Sequence, residues 1–237
     1  GIVVPFSWSF WGAVVEHGEL QAQALEARGH EVRLVMGNDP PGQFTRVLHP
    51  RVGRHGDPPA NVIPVGRSVI VPANASLPNI ILSPQSMVRM RRVWEQERFD
   101  VVHVHEPYAP ILSVYALASA PCPIVATCHS AGERLGWYAI GGRFWGGLGD
   151  RIDYRIAVSE AARRAAEPHV GSPFDVIPNG ISLPAEFDPD GRNGNVVFIG
   201  RNEPRKGLPV LLSAWPDVHA RTGARLRLVG ADPLSVR

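Results

Sequence analysis

Short apolar runs alternate along this chain with longer stretches in which apolar residues recur every three or four positions. The short runs predict strands and the longer stretches predict amphipathic helices. Gly1-Ile-Val-Val-Pro5 reads as a buried strand. A helix is expected from Gly12 to about Arg28, stopped by Gly29, and a strand over Glu31–Met36. This strand–helix–strand order with short joints is a βαβ unit. Residues 43–82 hold weaker signals: short strands are expected at Val47-Leu48, Val62-Ile63, Ser68–Val71 and Ile80–Leu82. Ser83 as N-cap and Pro84 in the first turn predict a helix to about Arg98. It places Met87, Met90 and Trp94 on one face and Arg89 and Arg92 on the other.

Further strands are expected at Asp100–His105, Pro123–Cys128, Tyr154–Val158 and Phe174–Pro178. Helices are expected at Ala109–Ala120 and, capped by Ser159, to about Glu167. A Pro-, Asp- and Gly-rich stretch then reads as a linker. It is followed by one more βαβ unit: strand Asn195–Ile199, helix Leu208 to about Arg221, and strand Arg225–Val229. The alternation predicts an α/β fold, a mainly parallel sheet with helices on both faces. Residues 1–182 are expected to form one α/β domain, 183–194 a linker, and 195–237 the opening of a second such domain.

Composition narrows the function classes. Gly and Pro number 24 and 23 of 237 residues, about a fifth of the chain against a usual ~12%, which fits many turns. The net charge is +2 and the pI about 8.8, too weakly basic to indicate a nucleic-acid partner. Cys122 and Cys128 flank a strand-like run, which at ~3.3 Å per residue sets them ~20 Å apart. That is too far for a disulfide, so free thiols and a cytoplasmic setting are expected. No apolar run reaches the ~20 residues of a membrane helix. A chain that begins on an apolar run without Met and stops just after another is expected to be part of a longer protein.

In α/β sheets, ligands bind outside the carboxyl ends of the strands, and four segments fall there. Gly12 at a helix start lets backbone N–H groups approach an anion, although any βα turn favours glycine. The turn lacks G-x-G-x-x-G, which disfavours a dinucleotide cofactor. His103-Val-His-Glu-Pro107 puts two imidazoles on one strand face with Glu106 at the exit. No further ligand completes a zinc set there, so substrate contact is the better reading, with a purely structural pair as the alternative. Thr127-Cys-His-Ser130 offers His129 for substrate contact or proton transfer, or simply as a hydrogen-bonded loop residue. Cys128 lacks an activating arrangement. Gly200-Arg-Asn-Glu-Pro-Arg-Lys-Gly207 brings Arg201, Arg205 and Lys206 to a helix N-terminus, where cations oppose the dipole unless an anion sits among them.

Taken in order, these segments resemble the retaining GT-B glycosyltransferases, and among them the inositol-lipid mannosyltransferases. The resemblance is carried by Pro5-Phe-Ser7, Gly12, Gly29-His-Glu-Val32, Phe99 to Pro107, Pro123 to His129, Arg155 to Ser159, Ile177-Pro-Asn-Gly180 and Gly200 to Gly207. It implies two Rossmann-like domains facing each other, the first for the acceptor and the second for a nucleotide sugar. It also implies roles: Arg201 and Lys206 grip the donor diphosphate, Gly12 approaches the phosphates, and His129 lies near the transferred sugar. By the same resemblance the donor is a nucleotide sugar such as GDP-mannose, the acceptor a lipid or small polyol, and no metal or other cofactor is required. A basic helix bearing Arg89, Arg91 and Arg92 would meet anionic membrane on the inner face of the cell membrane. Two departures stand out. The usual Gly-Gly of the donor loop is Gly12-Ala13, and the later donor domain with its paired glutamates is absent. A non-catalytic fragment completed by a partner, or a transferase using a UDP-sugar, are the alternatives.

Overall fold

In the computed structural model, residues 1–49, 53–54, 56–71, 78–131, 136–183, 194–200 and 206–230 are described. The chain divides into two compact units, Gly1–Ser182 and Leu183–Arg237.

The first unit is built on a mainly parallel sheet. Its strands are β1 (Ile2–Ser7), β2 (Leu34–Gly37), β3 (Val62–Gly66), β4 (Val69–Ile70), β5 (Asn79–Ile80), β6 (Val102–His105), β7 (Ile124–Cys128), β8 (Tyr154–Ala157) and β9 (Asp175–Val176). The order across the sheet is β3-β2-β1-β6-β7-β8-β9, and every pair along it is parallel. β5 pairs antiparallel with both β1 and β4, off this path. The order runs outward in one direction up to β3 and in the other from β6. The reversal between β1 and β6 is the place where such sheets open a ligand crevice.

Six helices join the strands: α1 (Ala13–Glu26), α2 (Gln43–Leu48), α3 (Gln85–Glu97), α4 (Leu112–Ser119), α5 (Gly136–Trp145) and α6 (Glu160–Val170), with a 3-10 helix over Gly146–Arg151. Successive strand residues face opposite ways, and the core follows that parity. Ile2, Val4, Leu34 and Met36 point to the side covered by Val15 and Ala22 of α1. Val3, Val35 and Val104 point to the side covered by Met90, Val93 and Trp94 of α3 and by Leu112 and Ala116 of α4. Burial on both faces is what continuous runs such as Ile2-Val-Val4 encode.

Several expectations shift. Val47-Leu48 ends α2 rather than forming a strand, and neither residue is buried; with no sheet partner, an apolar pair carries no strand signal. Pro84, not Ser83, takes the cap position of α3. The strand expected from Glu31 begins only at Leu34, the pairing with β1 starting at Ile2. Residues 136–151, unassigned in the sequence, are helical. α6 runs past Glu167 and through Pro168 to Gly171, whose φ of 86° ends it. Ser159 caps α6 as expected, its Oγ accepting from the Ala162 N–H at 3.1 Å.

The second unit is one βαβ: β10 (Asn195–Ile199), α7 (Leu208–Thr222) and β11 (Arg225–Val229), the strands parallel and in register. Gly207, at φ 72°, caps α7 and Gly223, at φ 66°, closes it. Among the described residues of this unit only Leu208 is buried, while Ile199 and Val210 are 77% and 72% exposed. One βαβ layer cannot cover its own apolar surface.

Candidate active site

The chemistry-bearing residues of the first unit collect at the carboxyl ends of β1, β6 and β7. Gly18 sets the approach of α1 to the sheet: a Cβ there would lie 3.0 Å from Val4 Cγ2. This close approach brings His17 and Gln21, one helical turn apart, over the strand ends. Gln21 Nε2 lies 2.9 Å from His103 Nδ1, and Gln21 Oε1 lies 3.1 Å from His105 Nε2. His103 Nε2 is 2.6 Å from Thr127 Oγ1, and His105 Nδ1 is 2.9 Å from His129 Nε2. The five side chains form one hydrogen-bonded chain: Thr127, His103, Gln21, His105, His129.

The amide orientation sets every tautomer along it. Gln21 donates to His103 Nδ1, so His103 carries its proton on Nε2 and donates to Thr127. Gln21 accepts from His105 Nε2–H, so His105 Nδ1 accepts from His129 Nε2–H. His129 therefore presents Nδ1 as a lone pair. The rings of His103 and His105 stack at 4.7 Å and 11°, as their shared strand face requires, and His17 meets His105 edge-on at 5.5 Å. Burial lowers the pKa of His103 to about 4 and of His129 to about 3, with like-charge repulsion from neighbouring imidazoles adding to it. His105, fully buried, is held well below 6.5, and burial lowers His17 as well. The cluster is uncharged at neutral pH. His129 serves as a hydrogen-bonding contact for a polar ligand rather than as a cation.

Glu106 closes the other side. Its Oε1 accepts from the His129 backbone N–H at 2.9 Å and Ser130 Oγ at 3.0 Å, and its Oε2 from Tyr138 Oη at 2.8 Å. Burial raises its pKa, while the hydrogen bonds from Tyr138, Ser130 and His129 oppose that rise. Its backbone sits at φ 49°, in a region that non-glycine residues adopt where the surroundings enforce it. Glu106 thus fixes the His129 loop and has no oxygen free for a metal shared with His103 and His105. Cys128 is buried and burial pushes its thiol far up, so it is inert as a nucleophile. Both cysteines are free.

The loop after β1 is pinned from two directions. Glu19 accepts from Trp8 Nε1 at 3.0 Å and from Arg54 Nη2 at 2.7 Å, and the Arg54 guanidinium lies 4.1 Å from the Trp11 ring centroid. Asp39, buried, accepts from Ser68 Oγ at 2.7 Å and donates its N–H to Ser9 Oγ at 2.7 Å. Gly12 caps α1 in an extended conformation any residue can adopt, and a Cβ there would touch nothing within 4 Å. Neither backbone nor packing demands glycine at this position.

Of the residues singled out in the sequence, Gly12 and His129 lie at the carboxyl end of the first unit's sheet. Lys206 is exposed immediately before α7 of the second unit. Arg201 lies outside the described residues, as does Arg205. His17, Gln21, Thr127 and Tyr138 escaped the sequence reading. The only local signal for the first two is a polar i, i+4 pair on a helix whose neighbours Val15 and Ala22 are buried.

Residues 15–184, most of the chain, match Glycosyltransferase Family 4. The chain belongs to that family. Among curated relatives of this chain are the phosphatidyl-myo-inositol mannosyltransferases of Mycobacterium leprae and Propionibacterium freudenreichii. The first is 35% identical over 228 residues, covering 92% of this chain and 56% of the relative. The second is 34% identical over 229 residues, covering 93% and 58%. The chain spans little more than half the length of these relatives. The Anabaena protein Alr3699/HepE, solved with UDP-glucose, superposes with a TM-score of 0.55 at 16% identity, covering 96% of this chain and 68% of that one. The α/β, mainly parallel-sheet Rossmann-like fold is that of the GT-B glycosyltransferases. No helix among the described residues is long and apolar enough to cross a membrane.

Proposed function

We propose that this chain forms the acceptor-side domain and the opening of the donor-side domain of a retaining mannosyltransferase that transfers mannose from GDP-mannose to an inositol lipid. The observation that carries the reading is the identity of about a third to phosphatidyl-myo-inositol mannosyltransferases over more than nine-tenths of the chain. The site supports it: uncharged imidazoles and a fixed carboxylate suit a ligand rich in hydroxyls, and Gly12 leaves open space over the N-terminus of α1.

In this mechanism, cleavage of the sugar–phosphate bond builds negative charge on the departing diphosphate and oxocarbenium character on the sugar. Arg201 and Lys206 stabilise the departing charge, and the helix N-terminus behind Gly12 adds to it. Two cations at the departing diphosphate do the work a metal would do there. His129 contacts the transferred sugar, and the acceptor hydroxyl attacks from the face the diphosphate leaves. Replacing Arg201 and Lys206 together with Ala in the whole protein is expected to weaken GDP-mannose binding by roughly 10²- to 10⁴-fold. That follows from losing two charge-assisted contacts of ~1.5–3 kcal/mol each. Calorimetric titration checks it, with UDP-glucose as the rival donor; unchanged binding of GDP-mannose would reject the assigned grip.

On the lipid side, Arg89, Arg91 and Arg92 are exposed on α3, Arg91 pairing with Glu95 at 3.2 Å. Met90 and Trp94 are buried in the core, whereas Met87 lines an apolar groove of about 600 Å³ with Ile111, Tyr115 and Phe144. Exposed arginines on one helix suit an anionic lipid surface, at ~1 kcal/mol per arginine. Sedimentation with phosphatidylinositol-containing vesicles is expected to fall with added salt. The triple Ala variant should lose on the order of 100-fold; an unaltered partition would exclude this surface.

A further inference from the structure

We propose that His17, His105 and His129 form a three-imidazole binding site for a divalent transition-metal ion of the zinc type. One ligand-capable atom from each of the three residues lies within 4.8 Å of the others. Tetrahedral zinc with Zn–N bonds of ~2.0–2.1 Å sets its nitrogens about 3.4 Å apart. The His105 Nδ1 to His129 Nε2 edge is 2.9 Å. That edge must open by about 0.5 Å, and an edge at the 4.8 Å limit must close by about 1.4 Å, which small rotations of the partly buried His17 and His129 side chains supply.

Three features beyond proximity point to an ion. His17 Nδ1 is shielded from solvent and has no hydrogen-bond partner among the described residues; a shielded imidazole nitrogen left unpaired is uncommon and a ligand would satisfy it. His105 is oriented from behind, Gln21 Oε1 accepting from its Nε2–H, which directs the Nδ1 lone pair into the cluster. Outer-shell hydrogen bonds of this kind hold histidine ligands in place, and Gln21 is itself fixed by His103, which is anchored on Thr127. Finally, the neighbouring carboxylate of Glu106 is spent on His129, Ser130 and Tyr138. The set is all nitrogen, which selects zinc, copper, nickel or cobalt over magnesium, calcium or manganese. When the ion binds, it takes the place of the proton between His105 Nδ1 and His129 Nε2, and His129 carries its proton on Nδ1 instead. His17 and His129 are only partly buried, so an ion can reach the cluster from solvent.

This differs from the His103, His105 and Glu106 set weighed from the sequence. It is also distinct from the counter-charge for a departing diphosphate. The binding does not rest on the transferase reading; only its consequence does. An ion on His129 Nε2 moves that ring's proton to Nδ1, so the nitrogen that would accept from a sugar becomes a donor, and the ion would inhibit transfer.

Calorimetric titration of the intact chain with Zn²⁺, paired with visible absorption on adding Co²⁺, tests the site. The expected result is one ion per chain with the intense absorption of tetrahedral Co²⁺. Affinity should fall at least 100-fold in His17→Ala and in His129→Ala and about 10-fold in Gln21→Leu. Binding should stay unchanged in His30→Ala, which lies outside the cluster, with circular dichroism confirming that each variant is folded. Absence of stoichiometric Zn²⁺ binding overturns the proposal. So does binding that His17→Ala weakens by less than tenfold.

Discussion

Replacing Glu106 with Ala is expected to destabilise the first unit by roughly 3–5 kcal/mol. The carboxylate is the shared acceptor for three donors: the His129 N–H, Ser130 Oγ and Tyr138 Oη. Each buried donor left unpaired costs about 1–3 kcal/mol. Tyr138 is fully enclosed and cannot turn to water, whereas His129 and Ser130 are partly exposed and recover some of the loss. Glu106→Gln should cost less, about 1–2 kcal/mol. Its remaining carbonyl oxygen keeps two of the donors, and its amide can donate to the Tyr138 oxygen. Urea unfolding gives both values. A loss below 1 kcal/mol in the Ala variant would mean that water replaces the carboxylate and that Glu106 does not hold the His129 loop. Because that loop carries the proposed sugar contact, the same variant tests whether the site is built by Glu106 or merely borders it.

The fold was largely legible because burial on two sheet faces leaves a strong mark. Runs such as Ile2-Val-Val4 and Arg225–Val229 stand out between stretches of helical period, and β10 and β11 have the bounds the sequence predicts. α5 was not legible, for a packing reason. Its glycines argue against a helix by propensity, yet a Cβ at Gly141 would lie 2.7 Å from the Tyr108 side chain. The helix is kept for its fit against Tyr108, a tertiary contact no local pattern reports. The Val47-Leu48 expectation failed for the converse reason: two apolar residues in a row look like a strand only if something pairs with them.

The site divides the same way. Alternation along β6 places His103 and His105 on one face, and their rings do stack. His129, at the end of the next strand, follows from the parallel pairing of β6 with β7. What closes the cluster comes from α1, and its depth over the sheet is set by Gly18 packing on Val4. That contact joins the consecutive elements β1 and α1, but the residues it brings beneath α1 lie more than eighty positions further along, on β6. Periodicity within α1 shows which side faces the sheet, but not which strand residues lie beneath His17 and Gln21.

The histidine cluster also makes the first unit acid-sensitive at an unusually high pH. His103 ionises at about 4 in the folded chain against 6.5 when unfolded, because burial opposes its charge and His17 adds repulsion. His129 is lowered to about 3 for the same reasons, and His105 and His17 move in the same direction. Above pH 6.5 these groups are neutral in both states and cost nothing. As pH falls below 6.5 the unfolded chain takes up protons that the folded cluster refuses, so stability is lost steadily until the folded pKa values are reached. At about 1.4 kcal/mol per pH unit, the gap for His103 alone corresponds to roughly 3 kcal/mol. Glu106 acts in the opposite sense over a lower range: its raised pKa lets the folded state bind a proton first near and above 4.5, which offsets part of the loss there. The urea midpoint is therefore expected to drop between pH 6.5 and about 4.5, ahead of the range where exposed carboxylates titrate. His103→Leu, which removes one of the refused protons and keeps the volume of the stack, should flatten that slope. A midpoint constant from pH 7 to 5, or a slope that His103→Leu leaves unchanged, would show that water reaches these imidazoles and that they are not sealed as the distances between them indicate.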